Sequence, residues 1–506
     1  MSSERIINKL IGTKLYDRQN TKIIKSKIRR LLAFPALVTV DLLAVVVSLY
    51  IAYYLRSYIF QPLLPTFYRE ELLETTINNI WWLPLVVIFS LLYENLYHKR
   101  LPFWTEVEIL IKAATLSIFL TIVWLYLAQV NEEISRTLIV LTWLNLIFFL
   151  PLFRYFGKLL MSRLKIWEKP VIVFGSGNAA MLIANAIERE KTIGYEIIGL
   201  LEEKNNQSRL SKLKLPQNIP VLGTVDNAEK MIAKTGVEDI IIALSDLPTQ
   251  RLVNVTNQLQ RLTSNVLLVP DLFGLALNGI ELQYFFKEQT LLLQIKNRLR
   301  STFNRFIKQT LDLVFGLILF LISLPCMTFL ALAVKLDSKG PIFHIDKRIG
   351  QGGNLFPCYK FRTMYSNSET ILADFLASNP EANKQWQDYQ KLTGTDPRVT
   401  RVGAFLRRFS LDELPQLINT VKGEMSLVGP RPYLPREKKI MGEWLSDIII
   451  AKPGLTGLWQ VSGRNNISFE GRLKLDSWYM KNWSPWLDLL LIFRTVKVVI
   501  KGDGAY

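Results

Sequence analysis

At 506 residues the chain is too long for one compact domain, which points to two to four structural units. Its 61 Lys and Arg against 43 Asp and Glu suit either nucleic acid or an anionic membrane surface, and an apolar fraction of 50% decides for the membrane, so no nucleic-acid partner is expected. The two cysteines, Cys326 and Cys358, lie far apart, one of them in an apolar run, which argues against a disulfide framework or a zinc site and suits a reducing cytoplasm.

Residues 1–32 are polar and basic, without the early apolar core of a cleavable signal, and form a cytoplasmic N-terminus. A membrane domain over 33–168 follows. Its four apolar segments, near 33–55, 80–97, 108–130 and 136–156, each approach the roughly 20 residues that cross a bilayer as a helix. Lys and Arg crowd the chain before the first segment and after the fourth, placing both ends on the cytoplasmic side. The HKR of 98–100 falls on that same side, with the acidic REE (69–71) and NEE (131–133) outside. Asp41 and Glu94 lie within or at the end of spans, and a structural or headgroup-facing role is expected for them over an ion pathway.

From 169 to 295 the pattern alternates strand and helix signals, which predicts a doubly wound, Rossmann-like α/β domain. Gly175, Gly177 and Ala180 follow its first strand in the spacing of a dinucleotide loop, with Glu202 or Glu203 placed to meet a ribose. The same glycines serve a tight turn and close helix packing in a domain that binds nothing, and that reading is preferred.

Residues 296–340 begin as a basic amphipathic approach and continue into a fifth apolar stretch, Leu313 to Val334. Pro325 near its middle removes a helix hydrogen bond and marks a kink, and basic residues flank both ends. The stretch is therefore expected to enter one leaflet and return as a re-entrant helix, keeping 341–506 in the cytoplasm.

The last segment carries GPIFHIDKRIGQGG (340–353), YKFRTM (359–364), TDPRVTRVGAFLRRFSLDELPQ (395–416), SLVGPRP (426–432) and PGLTGLWQVSGRNN (453–466). It contains no Walker lysine loop, HExxH or GxSxG. Lys360, Arg362, Arg398, Arg401, Arg407, Arg431 and Arg464 surround few acids, and guanidinium forks match phosphate oxygens, so the substrate is a polyanion. Ser410 to Glu413 reads as a capping box, but Pro415 would then fall where it costs a helix bond, so a helix starting at or after Asp412 is expected. At a helix N-terminus Asp412 and Glu413 would serve either as caps or as catalytic carboxylates. Gly350 and Gly353 read as turn glycines, Trp459 as core, and Asp476 with Tyr479 as structural.

KFRTM, SLDELPQL, GEMSLVGPRP, GLTGLWQVSGRN and the ending DGAY, in this order and spacing, closely resemble the bacterial sugar transferases that act as monotopic polyprenyl-phosphate phosphoglycosyltransferases. The four spans and Rossmann-like domain ahead of them resemble the long form of that family. The resemblance implies a mainly α catalytic domain over 341–506, with a UDP-sugar as donor, undecaprenyl phosphate as acceptor and UMP as product, at the bacterial inner membrane with its lipids. A homodimer is also expected. It implies Asp412 as nucleophile, Glu413 as the partner that helps hold Mg²⁺, and Lys360, Arg362, Arg407, Pro430, Arg431, Gln460 and Arg464 as phosphate and nucleotide contacts. GLWQVSGRNN and DGAY look most like galactose-specific members, with glucose as the alternative. Family members often carry Ser-Pro at the re-entrant kink, whereas this chain reads Ser323-Leu324-Pro325, and Asp346 replaces another polar residue. Membrane-anchored nucleotide-sugar dehydratases share such a front end, but they need a second dinucleotide fold and a Tyr-x-x-x-Lys pair, which are missing after residue 300. A nucleotide-sensing membrane scaffold would not require the DELPQ and GPRP stretches.

Overall fold

The computed structural model describes residues 31–60, 80–128, 135–175, 177–202, 219–224, 228–235, 237–243, 249–269, 281–285, 290–294, 298–383, 396–463 and 467–501. The chain divides into two compact units, Met1–Asp271 and Leu272–Tyr506.

The first unit opens with apolar helices: α1 (Leu31–Phe60, its last six residues in π form), α2 (Leu83–Tyr93), α3 (Phe103–Leu127) and α4 (Arg136–Arg163). By length and composition α1, α3 and α4 can each cross a membrane. The second expected span is shorter here: α2 has 11 residues and stops at Glu94, where Asn95 turns to φ 57°. Residues 61–79 ahead of it, with the REE stretch, lie outside the described residues, as does NEE.

Four buried charges hold these helices together. Arg154 of α4 donates to both oxygens of Asp41 on α1, at 2.8 and 2.7 Å, and to Glu106 of α3 at 2.9 Å. Glu106 also accepts from Lys158 at 2.6 Å, and none of the four side chains is more than 4% exposed. Two cations and two anions cancel, so the set is neutral as a whole while every member is paired. Asp41 is thus a structural residue.

Arg100 links this bundle to the α/β domain that follows. It stacks over the Trp167 ring at 3.8 Å and donates to the Trp167 carbonyl at 2.6 Å, while the Trp167 indole donates to the Thr192 carbonyl at 2.9 Å. Strands β1 (Lys169–Phe174), β2 (Tyr195–Glu202), β3 (Val221–Thr224), β4 (Asp239–Ile242) and β5 (Asn265–Leu268) form one parallel sheet in the order β3-β2-β1-β4-β5. Helices α5 (Asn178–Arg189), α6 (Ala228–Thr235) and α7 (Thr249–Gln260) lie between strands in sequence. The β-branched runs of β1 and β4 are buried, as central strands covered on both faces require. Gly175 has φ 122°, a conformation that favours glycine, and Gly177 is the N-cap of α5. Ala180 is fully buried against Val171 and Val173. Its small side chain serves helix-on-sheet packing, and Glu203 lies outside the described residues.

The second unit begins with an isolated antiparallel hairpin, β6 (Glu281–Phe285) and β7 (Thr290–Gln294). Among the described residues these strands pair only with each other and take no place in the parallel sheet. The 36-residue helix α8 (Thr302–Asp337) follows, with Pro325 inside it. The Ser323 hydroxyl donates to the Phe320 carbonyl at 3.1 Å, so the Ser-Leu-Pro variant keeps a serine bonded to the backbone beside the proline. Both ends of α8 are tied to the same unit. Near its start Lys308 donates to the Val428 carbonyl at 2.9 Å and pairs with Asp488 at 2.8 Å. At its end Asp337 accepts from the Val402 N–H at 3.1 Å. Between these ties Leu313, Phe315, Ile318, Leu321 and Ile322 are exposed.

Around α8 stand the hairpin β8 (Phe343–Ile349) and β9 (Leu355–Phe361), then α9 (Ser368–Ser378), α10 (Arg401–Arg408) and α11 (Gln416–Val421). Strands β10 (Ser426–Val428) and β11 (Gly454–Thr456) pair in parallel, and α12 (Leu458–Ser462), α13 (Phe469–Asn482) and α14 (Pro485–Lys501) close the unit.

Arg154→Met leaves Asp41 buried without its cation, and should destabilise the first unit by about 3–5 kcal/mol. The matched pair Asp41→Leu with Arg154→Met should recover part of that loss in thermal unfolding of the detergent-solubilised protein.

Candidate active site

A single cavity of about 920 Å³ in the second unit gathers residues from β8, β9, α10, the turn after it, α12 and α14. The turn is the centre of the site. Ser410 takes a left-handed conformation, φ 55° and ψ 25°, and Leu411–Glu413 form one 3-10 turn before Pro415, the N-cap of α11. Ser410 does not cap a helix with its side chain, and α11 starts only at Gln416, so Asp412 and Glu413 are not the first residues of a helix. The capping box, set aside in the sequence because of Pro415, is absent here: Glu413 does not reach back to Ser410 with its side chain but binds Lys360 at 2.6 Å.

The two neighbouring carboxylates differ in state. Burial and the charge of Glu413 push the Asp412 carboxyl up to about 6, against the pull of Lys360 and Arg407. Burial also opposes ionisation of Glu413, yet Lys360, with help from Arg431 and Arg348, holds it below its usual range. Among the described residues Asp412 forms no salt bridge. Glu413 is thus the fixed anion, and Asp412 is the more basic carboxylate facing the cavity.

The cations are placed by backbone topology. Lys360 lies on β9 directly across from His344 on β8, and His344, Asp346 and Arg348 share its face at two-residue spacing. Asp346 pairs with His344 at 3.0 Å and with Arg348 at 2.9 Å. Arg407, in the last turn of α10, is steadied by its Nε donating to Thr363 Oγ1 at 2.9 Å. Arg431 follows β10; its N–H donates to Asp476 at 3.0 Å, and its guanidinium stands 5.4 Å from the Trp459 ring. Asp476 also accepts from the Tyr433 hydroxyl at 2.8 Å, and burial pushes its carboxyl up to about 7. Tyr479 donates to Asp488 at 2.6 Å, so both residues are structural supports.

The structure brings Lys360, Arg407, Asp412, Glu413 and Gln460 onto one cavity. Arg362 reaches the same wall, but its guanidinium is taken up elsewhere. It donates to the Ser338 carbonyl at 2.7 Å, the Ser338 hydroxyl at 2.9 Å and the Lys339 carbonyl at 3.2 Å. Through these bonds Arg362 closes the end of α8, where the chain turns toward β8. Pro430 contributes a carbonyl, which accepts from the Gly454 N–H at 2.8 Å. Arg464 and the DGAY ending lie outside the described residues. Trp459, expected in the core, lines the cavity between Arg431 and Arg472. His344 and Arg348 were missed by sequence reasoning, although the alternation His-x-Asp-x-Arg in a strand was the available signal.

Carboxylate oxygens at Asp412 and Glu413 suit a hard cation, but no group of three His, Cys, Asp or Glu side chains forms a cage among the described residues. That donor set fits Mg²⁺, which takes one or two carboxylates together with substrate phosphates.

A family model described as bacterial sugar transferase matches residues 303–502, and one described as CoA-binding domain matches 97–270. The chain is 36% identical over 411 residues to an undecaprenyl-phosphate galactose phosphotransferase of Salmonella typhimurium, covering 81% of this chain and 84% of the relative. It is 38% identical over 414 residues to a UDP-galactose-lipid carrier transferase of Erwinia amylovora, with 81% and 84% covered. An undecaprenyl-phosphate glucose phosphotransferase of Komagataeibacter xylinus is 30% identical over 350 residues, with 67% and 60% covered. Among solved structures, the Rex-family repressor RSP aligns with 22% of this chain and 56% of its own at 20% identity and a TM-score of 0.17, too weak a likeness to argue from.

Proposed function

The chain belongs to the bacterial sugar transferase family, and from that premise we propose that it moves galactose 1-phosphate from UDP-galactose to undecaprenyl phosphate through a covalent Asp412 intermediate. It is a membrane-bound sugar phosphotransferase of polysaccharide synthesis, with a nucleotide sugar and a polyprenyl phosphate as substrates. The observation that carries the covalent reading is the split between two adjacent acids: Glu413 is held by Lys360, while Asp412 is the more basic anion in the cavity.

In the first step a carboxylate oxygen of Asp412 bonds to the phosphorus next to the sugar. The bond from that phosphorus to the bridging oxygen breaks, and UMP leaves with the electron pair. In the second step a phosphate oxygen of undecaprenyl phosphate bonds to the same phosphorus and expels Asp412 as a carboxylate, so the enzyme is restored without a net proton change on it. Lys360, Arg407 and Arg431 supply fixed positive charge to the phosphates. Mg²⁺, held by Glu413, would neutralise diphosphate charge. Galactose rather than glucose is supported by the higher identity to galactose enzymes.

The catalytic unit is assigned to the cytoplasmic side of the inner membrane. If α8 crossed the bilayer, Lys308 and Asp337 would lie on opposite faces, yet both bond within one compact unit. A dip into one leaflet satisfies both ties and gives the exposed apolar residues between them a lipid environment. A cysteine replacing Ser366 should be labelled by an impermeant reagent from the cytoplasmic side alone, and labelling from the periplasm would sink the re-entrant assignment.

Incubated with labelled UDP-galactose alone, the wild-type protein should release UMP in a burst and retain acid-labile label; Asp412→Asn should do neither while remaining folded. Equal or faster labelling from UDP-glucose would reassign the sugar. Retained transfer by Asp412→Asn would remove the covalent step altogether.

Because only ionised Asp412 attacks, kcat/KM for the UDP-sugar should fall about tenfold per pH unit on the acid side of a midpoint near 6. An unperturbed aspartate would put that midpoint at about 3.9. Lys360 pulls the Asp412 value down, so Lys360→Met should move the acid limb to higher pH, and an unmoved limb would assign it to another group.

A further inference from the structure

One side of the active-site cavity has no use for a nucleotide sugar. Lys360, Arg407 and Asp412 make one part polar, whereas Leu319 of α8, Leu455 of β11, and Ile492 and Val496 of α14 line another. The diphosphate and the sugar hydroxyls of a UDP-sugar gain little from an aliphatic wall. The wall is nonetheless built firmly. Asp488 in the first turn of α14 accepts from Tyr479 at 2.6 Å and from the Trp483 indole at 3.0 Å, and Thr495 is hydrogen-bonded to Thr456 of β11 at 2.6 Å.

The same wall runs out to solvent-exposed apolar surface. Leu319 is 42% exposed, within the α8 stretch assigned to the leaflet, and Phe493 and Val496 on α14 are 56% and 54% exposed. Exposed aliphatic surface contiguous with a reactive cavity indicates an apolar ligand or a lipid surface. The acceptor must bring a phosphate to Asp412 while its hydrocarbon stays out of water. A cavity polar at one end and aliphatic at the other matches an amphiphile of that shape.

Resting on the transfer reaction proposed above, we propose that α14, with Leu319 of α8, is the seat for the first isoprene units of the polyprenyl phosphate. Ile492 and Val496 are one helical turn apart and present one aliphatic stripe to the chain. The seat acts only in the second step: it orients the acceptor phosphate toward the phosphorylated Asp412, and the donor never touches it.

The two half-reactions separate this inference from the reading on which it rests. The full-length protein is charged with labelled UDP-galactose, then chased with undecaprenyl phosphate or with UMP, which re-forms the donor and carries no isoprene unit. Val496→Asp should leave the UMP burst and label within about twofold of wild type, slow the undecaprenyl chase at least tenfold and slow the UMP chase much less. Ile492→Trp, which fills the stripe without adding charge, should raise the KM for undecaprenyl phosphate and leave that for UDP-galactose unchanged. Equal losses in both half-reactions, or an unchanged chase in both variants, would overturn the seat. So would an altered oligomeric state with an unchanged acceptor KM, since the stripe would then cover a second copy of the chain. If the wild type forms no covalent label, the relay fails but the seat stays testable by the acceptor and donor KM values in the overall reaction: a selective rise for the acceptor supports it, and no rise rejects it.

Discussion

The buried ammonium of Lys308 is the constraint on which the catalytic unit depends. It pairs with Asp312 on its own helix at 3.1 Å and with Asp488 on α14 at 2.8 Å, and it donates to the Val428 carbonyl at 2.9 Å. Asp312 accepts in turn from the Ser426 hydroxyl at 2.7 Å and the Leu427 N–H at 3.1 Å, while Tyr479 donates to Val428 and Asp488. One cation with two anions is tolerable out of water only because so many donors complete it. The consequence is functional. Val428 is three residues before Arg431, so the foot of the membrane helix and the strand that delivers an active-site arginine share one rigid polar cluster. A shift of α8 cannot leave the site untouched.

Around that anchor, two chemically similar acids acquire different properties from their places in one turn. The left-handed Ser410 reverses the chain after α10 and sets Asp412 and Glu413 on successive positions of a 3-10 turn, so their side chains leave in different directions. One meets Lys360 of β9 and is held as an anion; the other is buried enough to raise its carboxyl toward neutrality. A strongly stabilised carboxylate is a poor nucleophile, and a more basic one is better, so separating the two values assigns the roles.

Most of the architecture was legible because it rests on local periodicity. The β-branched runs of β1 and β4 announced a buried parallel sheet, and the apolar lengths of α1, α3, α4 and α8 announced membrane contact. What escaped depends on contacts distant in sequence. Asp41 and Arg154 are 113 residues apart, and nothing local says that each exists for the other. The charge of Arg362 is visible in the sequence, while its bonds to the carbonyls of Ser338 and Lys339 are visible only once the end of α8 is packed beside the hairpin. Pro415 was enough to put the start of α11 after Ser410, but the left-handed turn at Ser410 is carried by a residue type that rarely adopts it, so composition does not mark it.

The site also bears on why a relay suits these substrates. Lys360, Arg407 and Arg431 form one cationic group around one pair of acids, and the cavity has one aliphatic side. A direct displacement would have to hold the donor diphosphate and the acceptor phosphate against this single group at once, two polyanions repelling each other across a few ångströms in a low-dielectric space. Under the proposed relay, storing the sugar phosphate on Asp412 would let UMP carry its charge away before the acceptor phosphate arrives. The same cations would then serve both partners in turn, and the cavity could be polar for the first and amphiphilic for the second without holding both.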